Sequence, residues 1–316
     1  MRAIQSLAVM LGLGVCVACA GAQEQTVHVA LTKKVFWLEA ARDVLPQAQL
    51  MAEKVGESIH RTIVAQEAKD TSLGSLADAL ASGDYDFVIC DGLDFVMLQQ
   101  EFQKRARLDG TRARTLRAIA AVSMPPEAEG AAAGTTCALL VTRKDPALRA
   151  VADVRGKRLV YAPNAETDCS MLYLAGLLRK EGAKSKEEFF GSVKRLSCED
   201  ACLIALQRGS ADVICISEEK LLAKQMVAGP FTNNLWRLAS SKPYAGFVCF
   251  HVEGLVAPKL VNDFRTELME MHKTAEGAKL LEMFNVRSFV PVSAQSFTPI
   301  EEMVRAAEPE PAALAR

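Results

Sequence analysis

The sequence predicts an α/β fold that is divided into two lobes. The main observation is a weak internal repeat, in which a helix is ended by a glycine and followed by a buried strand. The two copies are Ala79-Leu80, Gly83, Asp86 and Cys90, and then Ala205-Leu206, Gly209, Asp212 and Cys215. The chain has 316 residues, half of them hydrophobic, which is enough for two cores. Helix-strand units at similar places in both halves of such a chain indicate two α/β lobes.

In the first half, apolar spacing predicts a helix and then a strand. The apolar residues that recur at helical spacing are Leu73, Leu76, Ala77 and Leu80. Gly83 suits the left-handed position that follows a helix, and Phe87-Val88-Ile89 is typical of a buried strand. A stretch without periodicity, 123–134, then predicts a connection between the lobes.

The second half repeats this alternation of strands and helices. The predicted elements are two strands, Ala138–Val141 and Arg158–Tyr161, and a helix, Cys169–Leu178. Either Thr167 or Asp168 could cap that helix. The helix of the second repeat copy has Ser197 as its predicted N-cap, with Asp200 three residues later as in a capping box.

A second connection, at 240–246, returns the chain to the first lobe, because Lys242-Pro243 interrupts any helix. A largely helical stretch, 258–283, comes next, and 308–316 is expected to be a loose tail. The predicted boundaries are 23–125 and 243–316 for the first lobe and 126–242 for the second.

The amino-terminal residues predict an exported protein. Arg2 precedes an apolar run, 7–18, and small residues end at Ala22, as in a cleavable signal peptide that covers 1–22. A lipid anchor at Cys19 is the alternative, and cleavage is favoured because Cys16 stands where a leucine-like residue is usual. No later segment is apolar enough to cross a bilayer.

The charge balance argues against nucleic acid as a partner. Lysine and arginine number 37 and aspartate and glutamate 38, which leaves a formal charge of -1. Proteins whose main partner is nucleic acid or an anionic membrane carry an excess of basic residues.

Cysteine placement is the most informative feature for the ligand. The chain has nine cysteines, and cleavage after Ala22 would leave seven, an odd number that cannot all pair within one chain. Four fall where a strand passes into a helix or a helix begins: Cys90, Cys137, Cys169 and Cys198. In an open α/β sheet such positions face the ligand crevice. The sequence therefore predicts a ligand that prefers sulfur.

Five motifs, in order along the chain, carry a family resemblance. They are Asp153 to Arg158, Pro163 to Ser170, Ser197 to Ala201, Gly209 to Val213 and Pro243 to Phe247. They resemble the phosphate-, phosphonate- and phosphite-binding periplasmic proteins of transporters, and 284–292 is similar to that family's C-terminal signature. The resemblance covers 27–300. It implies the type II periplasmic binding protein fold, with two α/β lobes joined by two hinge crossovers, and a location in the periplasm.

The chain departs from this family pattern at two helix starts. Where relatives have two serines that hold an oxyanion, it has Thr167 and Cys169, and where they often have Gly-Ser-His it has Ser197-Cys198-Glu199. Helix amino termini favour anions, but carboxylates near them would repel a dianion. Those carboxylates are Glu166, Asp168, Glu199 and Asp200. The helix termini are also expected to lower the pKa of Cys169 and Cys198 toward thiolate.

Arsenite fits this predicted chemistry, because arsenous acid is uncharged near neutral pH and As(III) binds up to three thiolates. Within the family, the chain resembles the arsenite-sensing proteins that act with a sensor histidine kinase to control arsenite oxidase. That resemblance implies the periplasmic domain of such a kinase as a partner, and no cofactor is expected. The predicted ligand-binding residues are Cys90, Cys137, Thr167, Cys169, Ser197 and Cys198, with any three of the four cysteines binding arsenic.

The cysteines of the chain are also open to interpretations other than ligand binding. A free cysteine often behaves as a small buried hydrophobe, which is the expectation for Cys202, Cys215 and Cys249. Cys169 and Cys198 could instead form a disulfide, as an exported protein permits.

Other residues are also open to two interpretations. Phe36 and Trp37 follow the first strand and either face the ligand or pack the lobe. Glu219 stands where some phosphonate-binding relatives have a ligand carboxylate, and it could equally be a solvated residue of a helix start. Lys220 and Lys224 are interpreted as surface charges.

Two other function classes stay open. The first is a substrate-binding subunit that delivers phosphonate, phosphite or phosphate to an ABC permease, and its binding would survive loss of the cleft thiols. The second is enzymatic, because pyrimidine synthases of thiamine biosynthesis share the fold, but the export signal and the lack of a clustered cysteine motif argue against it. The spacing of cysteines and histidines predicts neither a structural zinc site nor a hydrolase triad.

Overall fold

A computed structural model describes residues 26–38, 44–69, 72–124, 132–163, 168–227 and 233–307. The predicted signal peptide, 1–22, and the predicted tail, 308–316, lie outside these ranges. In the described part of the chain, no helix is long and apolar enough to span a membrane.

The first lobe is built on a six-stranded sheet. Its strands are β1 (Val27–Leu31), β2 (Ile63–Glu67), β3 (Phe87–Asp91), β4 (Leu116–Ser123), β12 (Phe247–Val252) and β13 (Ser288–Val290). They lie in the order β13-β4-β12-β3-β1-β2. β1 runs parallel to β2 and β3, whereas β12 is antiparallel to both of its neighbours.

Helices cover both faces of this sheet. They are α1 (Val44–Ile59), α2 (Leu73–Ser82), α3 (Gly92–Asp109), α8 (Pro258–Glu270), α9 (Ala275–Glu282) and α10 (Thr298–Ala307), with short 3₁₀ turns at Lys33–Leu38, Met271–Lys273 and Ala294–Phe297. The predicted helix and strand of the first repeat copy are α2 and β3. Gly83 ends α2 in the left-handed conformation, at φ 82°, as the sequence predicts.

The second lobe is built on a five-stranded sheet. Its strands are β6 (Ala138–Arg143), β7 (Arg158–Tyr161), β8 (Ser192–Arg195), β9 (Val213–Ser217) and β10 (Leu235–Ser240), in the order β10-β6-β9-β7-β8. A 3₁₀ turn, Val151–Val154, precedes β7. The helices are α4 (Cys169–Lys180), α5 (Lys186–Phe189), α6 (Glu199–Gln207) and α7 (Glu218–Val227).

Two crossovers join the lobes, and each carries one short strand. β5 (Thr135–Thr136) lies between β4 and β6 in the chain, β11 (Tyr244–Ala245) lies between β10 and β12, and the two strands pair antiparallel. This is the two-lobed type II arrangement that the family resemblance implied. Within these crossovers we propose the lobe boundaries given above, after 125 and after 242.

The structure confirms one of the two caps predicted for α4, and it corrects one predicted helix start and one predicted helix. Asp168 caps α4, with its carboxylate accepting from the Ser170 N–H, and Thr167 lies outside the described residues. The N-cap of α6 is Cys198 rather than Ser197, and it makes no side-chain capping bond, so the predicted capping box is wrong. The stretch 258–283 is two helices, because Thr274 caps a new one by accepting from the Gly277 N–H.

Candidate functional site

A cavity of about 70 Å³ lies between the two lobes, next to the carboxyl ends of β3 and β9 and to both crossovers. The first lobe contributes Lys34, Asp91, Gly92, Leu93 and Phe247; the second contributes Asp168, Cys169, Ser217, Glu219 and Lys220; and the crossover segments contribute Thr136, Tyr244 and Gly246. In an open α/β sheet the crevice at the strand ends is the usual ligand site. This cavity is therefore the candidate functional site.

Two helices point their amino termini at the cavity, and each is capped by its own carboxylate. Asp91 precedes α3 and accepts a 2.7 Å hydrogen bond from the Asp94 N–H. Asp168 precedes α4 and accepts a 2.7 Å bond from the Ser170 N–H. A helix amino terminus offers free N–H groups and a partial positive charge to an anion. Here the protein's own carboxylates already take up part of that capacity.

Lys34 pairs with two carboxylates on the first-lobe side. Its Nζ lies 2.7 Å from Asp91 Oδ2 and 2.6 Å from Asp94 Oδ1, and all three side chains are largely buried. Burial alone would lower the pKa of Lys34, but the charges of Asp91 and Asp94 more than offset it, so that the pKa is raised. Burial and the Asp91 charge raise the pKa of Asp94 to about 6, against the opposing effect of Lys34.

Lys220 has the corresponding position on the second-lobe side. Its Nζ lies 2.8 Å from Glu199 Oε1 and 3.7 Å from Asp168 Oδ2. Burial would lower its pKa, and the charges of Asp168 and Glu199 raise it overall. The interpretation of Lys220 as a surface charge is wrong, because it lines the cavity. Lys224 is more exposed and pairs with Asp200 at 2.7 Å.

Glu219 brings a further carboxyl group to the cavity. Its N–H donates to Thr136 Oγ1 at 3.4 Å, and the Ser217 hydroxyl donates to its Oε1 at 3.5 Å. Burial raises the pKa of Glu219, and Lys220 only partly opposes this effect. Of the two interpretations left open by the sequence, the solvated one does not fit a residue with this environment.

Cys169 is the predicted cysteine that lines the cavity. It is the first residue of α4 and is 2% exposed. Its pKa is raised, first by burial and then by the charges of Asp91 and Asp168. The prediction that the helix start would lower this pKa is therefore wrong for Cys169, because burial disfavours the thiolate and the charges of Asp91 and Asp168 add to that effect.

The other three predicted cysteines are not among the cavity-lining residues. Cys90 is fully buried in the first-lobe core, and its thiol donates to the Asp91 carbonyl at 3.2 Å. Cys137 is buried in the second lobe, where burial and Glu218 raise its pKa to about 11. Cys198 is exposed, and the Ser197 hydroxyl donates to its sulfur at 3.9 Å.

The described residues contain no group of three or more Cys, His, Asp or Glu side chains that could hold a metal ion. The seven cysteines in the described ranges are free thiols, including Cys169 and Cys198, the pair considered for a disulfide. Cys202, Cys215 and Cys249 are buried in the cores, as their second interpretation predicts. The side chains of Phe36 and Trp37 lie outside the described part.

Of the charged residues that line the cavity, sequence reasoning missed Lys34 and Asp91 and wrongly placed Lys220 on the surface. It named Asp168 as a helix-start carboxylate and Glu219 as a possible ligand carboxylate. Asp91 stands directly between a predicted strand and the helix that follows it, which is the rule that selected the cysteines. The same rule applied to every polar residue would have found Asp91, and it would have drawn attention to Lys34 just after β1.

Comparison with known proteins places this two-lobed fold and its cleft in a family. The model of the family described as ABC transporter, phosphonate, periplasmic substrate-binding protein matches residues 39–297. The chain belongs to this phosphonate-binding family. Its members bind solutes and do not catalyse a reaction, so the chain is a periplasmic solute-binding protein and not an enzyme. None of the curated proteins matches the sequence significantly.

Several solved structures share this fold at low sequence identity. PhnD1 of Prochlorococcus marinus, solved in complex with methylphosphonate, is 14% identical with a TM-score of 0.57, over 89% of this chain and 98% of that one. A Pseudomonas aeruginosa binding protein of an ABC phosphonate transporter is 13% identical, with a TM-score of 0.57. The match covers 89% of this chain and 86% of that one. A Xanthomonas citri protein with bound chloride is 14% identical, with a TM-score of 0.59. The match covers 89% of this chain and 97% of that one.

One prediction concerns the pH dependence of stability. The pKa of Asp94 is raised from its ordinary value of 3.8 to about 6, so the folded protein holds a proton there that the unfolded chain releases. Stability contributed by this proton is present below pH 4 and is lost as the pH rises to about 6. Relative to Asp94→Asn, the free energy of unfolding of the wild type should fall by at most about 3 kcal/mol over that interval. A pKa difference of one between the folded and unfolded states is worth about 1.4 kcal/mol.

Urea unfolding of both proteins at several values between pH 4 and 7 measures this difference. A difference that stays constant across that range would contradict the raised pKa. Asp200→Asn, at an exposed position paired with Lys224, serves as the control and should give no such pH dependence.

Proposed function

We propose that this chain is the substrate-binding subunit of an ABC transporter and that its solute is an aminoalkylphosphonate. Family membership supports the phosphonate group and an ABC permease as the partner. The observation that carries the choice of an amino-bearing solute is the charge pattern of the cavity. Its charged side chains are Asp91, Asp168, Glu219, Lys34 and Lys220.

The two lysines are already paired within the protein. Lys34 binds two carboxylates and Lys220 binds two others, so neither brings uncompensated positive charge to the cavity. A bare phosphate or phosphite dianion would meet more negative than positive charge there. An ammonium group on the ligand would instead pair with a carboxyl group, while its phosphonate bonds to the lysines and the remaining helix-start N–H groups.

Glu219 is the best partner for that ammonium group. Burial raises its pKa, which means that its ionised form lacks a sufficient counter-charge in the free protein. A bound cationic group would supply one. Because Glu219 lies in the second lobe and Asp91 in the first, a ligand that contacts both would favour the closed arrangement of the lobes.

Replacing Glu219 with Gln should weaken binding of 2-aminoethylphosphonate at least tenfold and leave binding of methylphosphonate within twofold. The reason is that Gln keeps the size and hydrogen-bonding of the side chain but removes the charge that pairs with the amine. Isothermal titration calorimetry of both ligands on each protein measures this. Asp200→Asn, which removes a charge outside the cavity, should change neither affinity. An equal loss of affinity for both ligands would contradict the assignment of Glu219 as the partner of the ammonium group.

Arsenite sensing through a histidine kinase is the second candidate, and one observation favours it. The Cys169 thiol lines the cavity and could bind As(III). It is the weaker candidate because Cys90, Cys137 and Cys198 do not line the cavity and burial raises the pKa of Cys169. If the wild-type protein binds arsenite and Cys169→Ser abolishes that binding, the result would favour the arsenite-sensing function. We also propose cleavage after Ala22, as the sequence predicts, for delivery to the periplasm.

A further inference from the structure

The carboxyl-terminal helix α10 contacts both lobes, and its two ends are held by different ones. Near its start, Ile300 is fully buried in a core that is formed mainly by first-lobe residues. Phe297, just before the helix, packs on Phe95 with ring centroids 4.5 Å apart. The first turn of α10 is therefore fixed to the first lobe.

The other end of α10 is bonded to the second lobe. Arg179 of α4 donates to the carbonyl oxygens of Ala306 and, at 2.5 Å, Ala307. These carbonyls have no partner within the helix, and a guanidinium also suits the negative end of the helix dipole. α4 itself is fixed to the second sheet, because Leu174 and Leu178 are buried against its strands.

The two helices also approach closely at this carboxyl end of α10. A Cβ atom on Gly176 of α4 would lie 3.3 Å from the Ala306 Cβ. Next to this contact, a cavity of about 260 Å³ opens between α4, α10 and the second crossover. The crossover residue Lys242 bonds to Glu302 of α10 at 2.9 Å.

We propose that α10 is a strap that holds the lobes closed, and that Arg179 is the contact that must be released when the cleft opens. A rigid helix fixed to one lobe at its start and bonded to the other at its end cannot keep both attachments when the lobes rotate apart. Weakening the second attachment therefore shifts the population toward the open state. This role is separate from the identity of the solute.

Cys169 provides a ligand-free measure of opening. It is 2% exposed in the closed cleft and becomes accessible when the lobes separate, so its alkylation rate reports the open population. Two other thiols in the same sample are internal references. Cys198 is exposed already, and Cys249 is fully buried in the first-lobe core and reacts only on unfolding.

The test is iodoacetamide labelling at one pH, followed by peptide mass spectrometry, on the ligand-free protein. Arg179→Ala should raise the Cys169 rate at least fivefold and leave the Cys198 and Cys249 rates within twofold. Lys180→Ala removes the neighbouring, exposed charge of the same helix and should change none of the three. Gly176→Leu, which favours the helix but wedges α4 away from α10, should also accelerate Cys169.

An unchanged Cys169 rate in Arg179→Ala and Gly176→Leu would overturn the proposal. Parallel acceleration of Cys249 in both variants would also overturn it, because the contact would then stabilise the fold as a whole. If Arg179→Ala alone fails to fold, Gly176→Leu decides between the outcomes.

Discussion

Replacing Lys34 with Met should lower the free energy of unfolding by about 2 to 3 kcal/mol. Lys34 is 17% exposed and is the shared partner of Asp91 and Asp94, whose side chains are 16% and 18% exposed. Removing one member of a buried ion pair leaves the other without compensation, which typically costs about 3 to 5 kcal/mol. The residual exposure of all three side chains reduces that figure.

Urea unfolding at pH 7 measures the loss, and a second substitution tests its cause. Adding Asp94→Asn to Lys34→Met should restore about half of the lost stability, because one uncompensated carboxylate is then removed. Lys259→Met is the matched control. Lys259 is 87% exposed and pairs with Asp263 one turn later, so its loss should cost less than about 0.5 kcal/mol. A similar cost for Lys34 and Lys259 would contradict the buried triad.

Replacing Gly92 with Ala should weaken solute binding at least tenfold and destabilise the fold. Gly92 is the first residue of α3, and its N–H donates to the Gly246 carbonyl at 2.6 Å. An added Cβ would lie 2.2 Å from the Ala245 carbonyl oxygen and 2.8 Å from Ile300 Cδ1. Because the clash is with the backbone of a crossover, it displaces the hinge and the cavity wall, at a cost of about 1 to 3 kcal/mol.

Gly74→Ala is the control for this effect. Gly74 also lies in the first turn of a helix, but an added Cβ there would lie 3.6 Å from the nearest atom, which belongs to the Arg105 side chain. That substitution should stabilise the protein by up to about 1 kcal/mol, since alanine favours a helix more than glycine does. Calorimetric binding and thermal unfolding of both variants separate the two cases. Wild-type affinity in Gly92→Ala would contradict the close approach.

The elements of the fold follow from the sequence more directly than the site does. β7 begins and ends as predicted, at Arg158 and Tyr161, and Gly209 has the left-handed conformation at φ 71° that the repeat implies. Local patterns determine such features, because glycine and apolar periodicity act within a few residues. The start of α6 did not follow from its local pattern, because Cys198 rather than Ser197 is the N-cap and it makes no side-chain capping bond.

The side chains that line the cavity could not be predicted from position alone. Successive residues of a strand point to opposite faces, so a shift of one residue decides between core and cleft. Cys90 is buried in the core, whereas Asp91, the next residue, lines the cavity. Sequence position correctly indicated the end of β3 but not which of the two side chains faces the ligand. The pairing of Lys34 with Asp91 joins segments far apart in the chain and has no local signal.

A calorimetric comparison of four solutes on the wild-type protein tests the proposed aminoalkylphosphonate site most directly. 2-Aminoethylphosphonate should bind at least tenfold more tightly than methylphosphonate, and methylphosphonate more tightly than phosphite, with no measurable binding of arsenite. That order follows from a cavity in which carboxyl groups outnumber lysines. Phosphite or methylphosphonate binding as tightly as the amino-bearing ligand, or arsenite binding in place of all three, would contradict it.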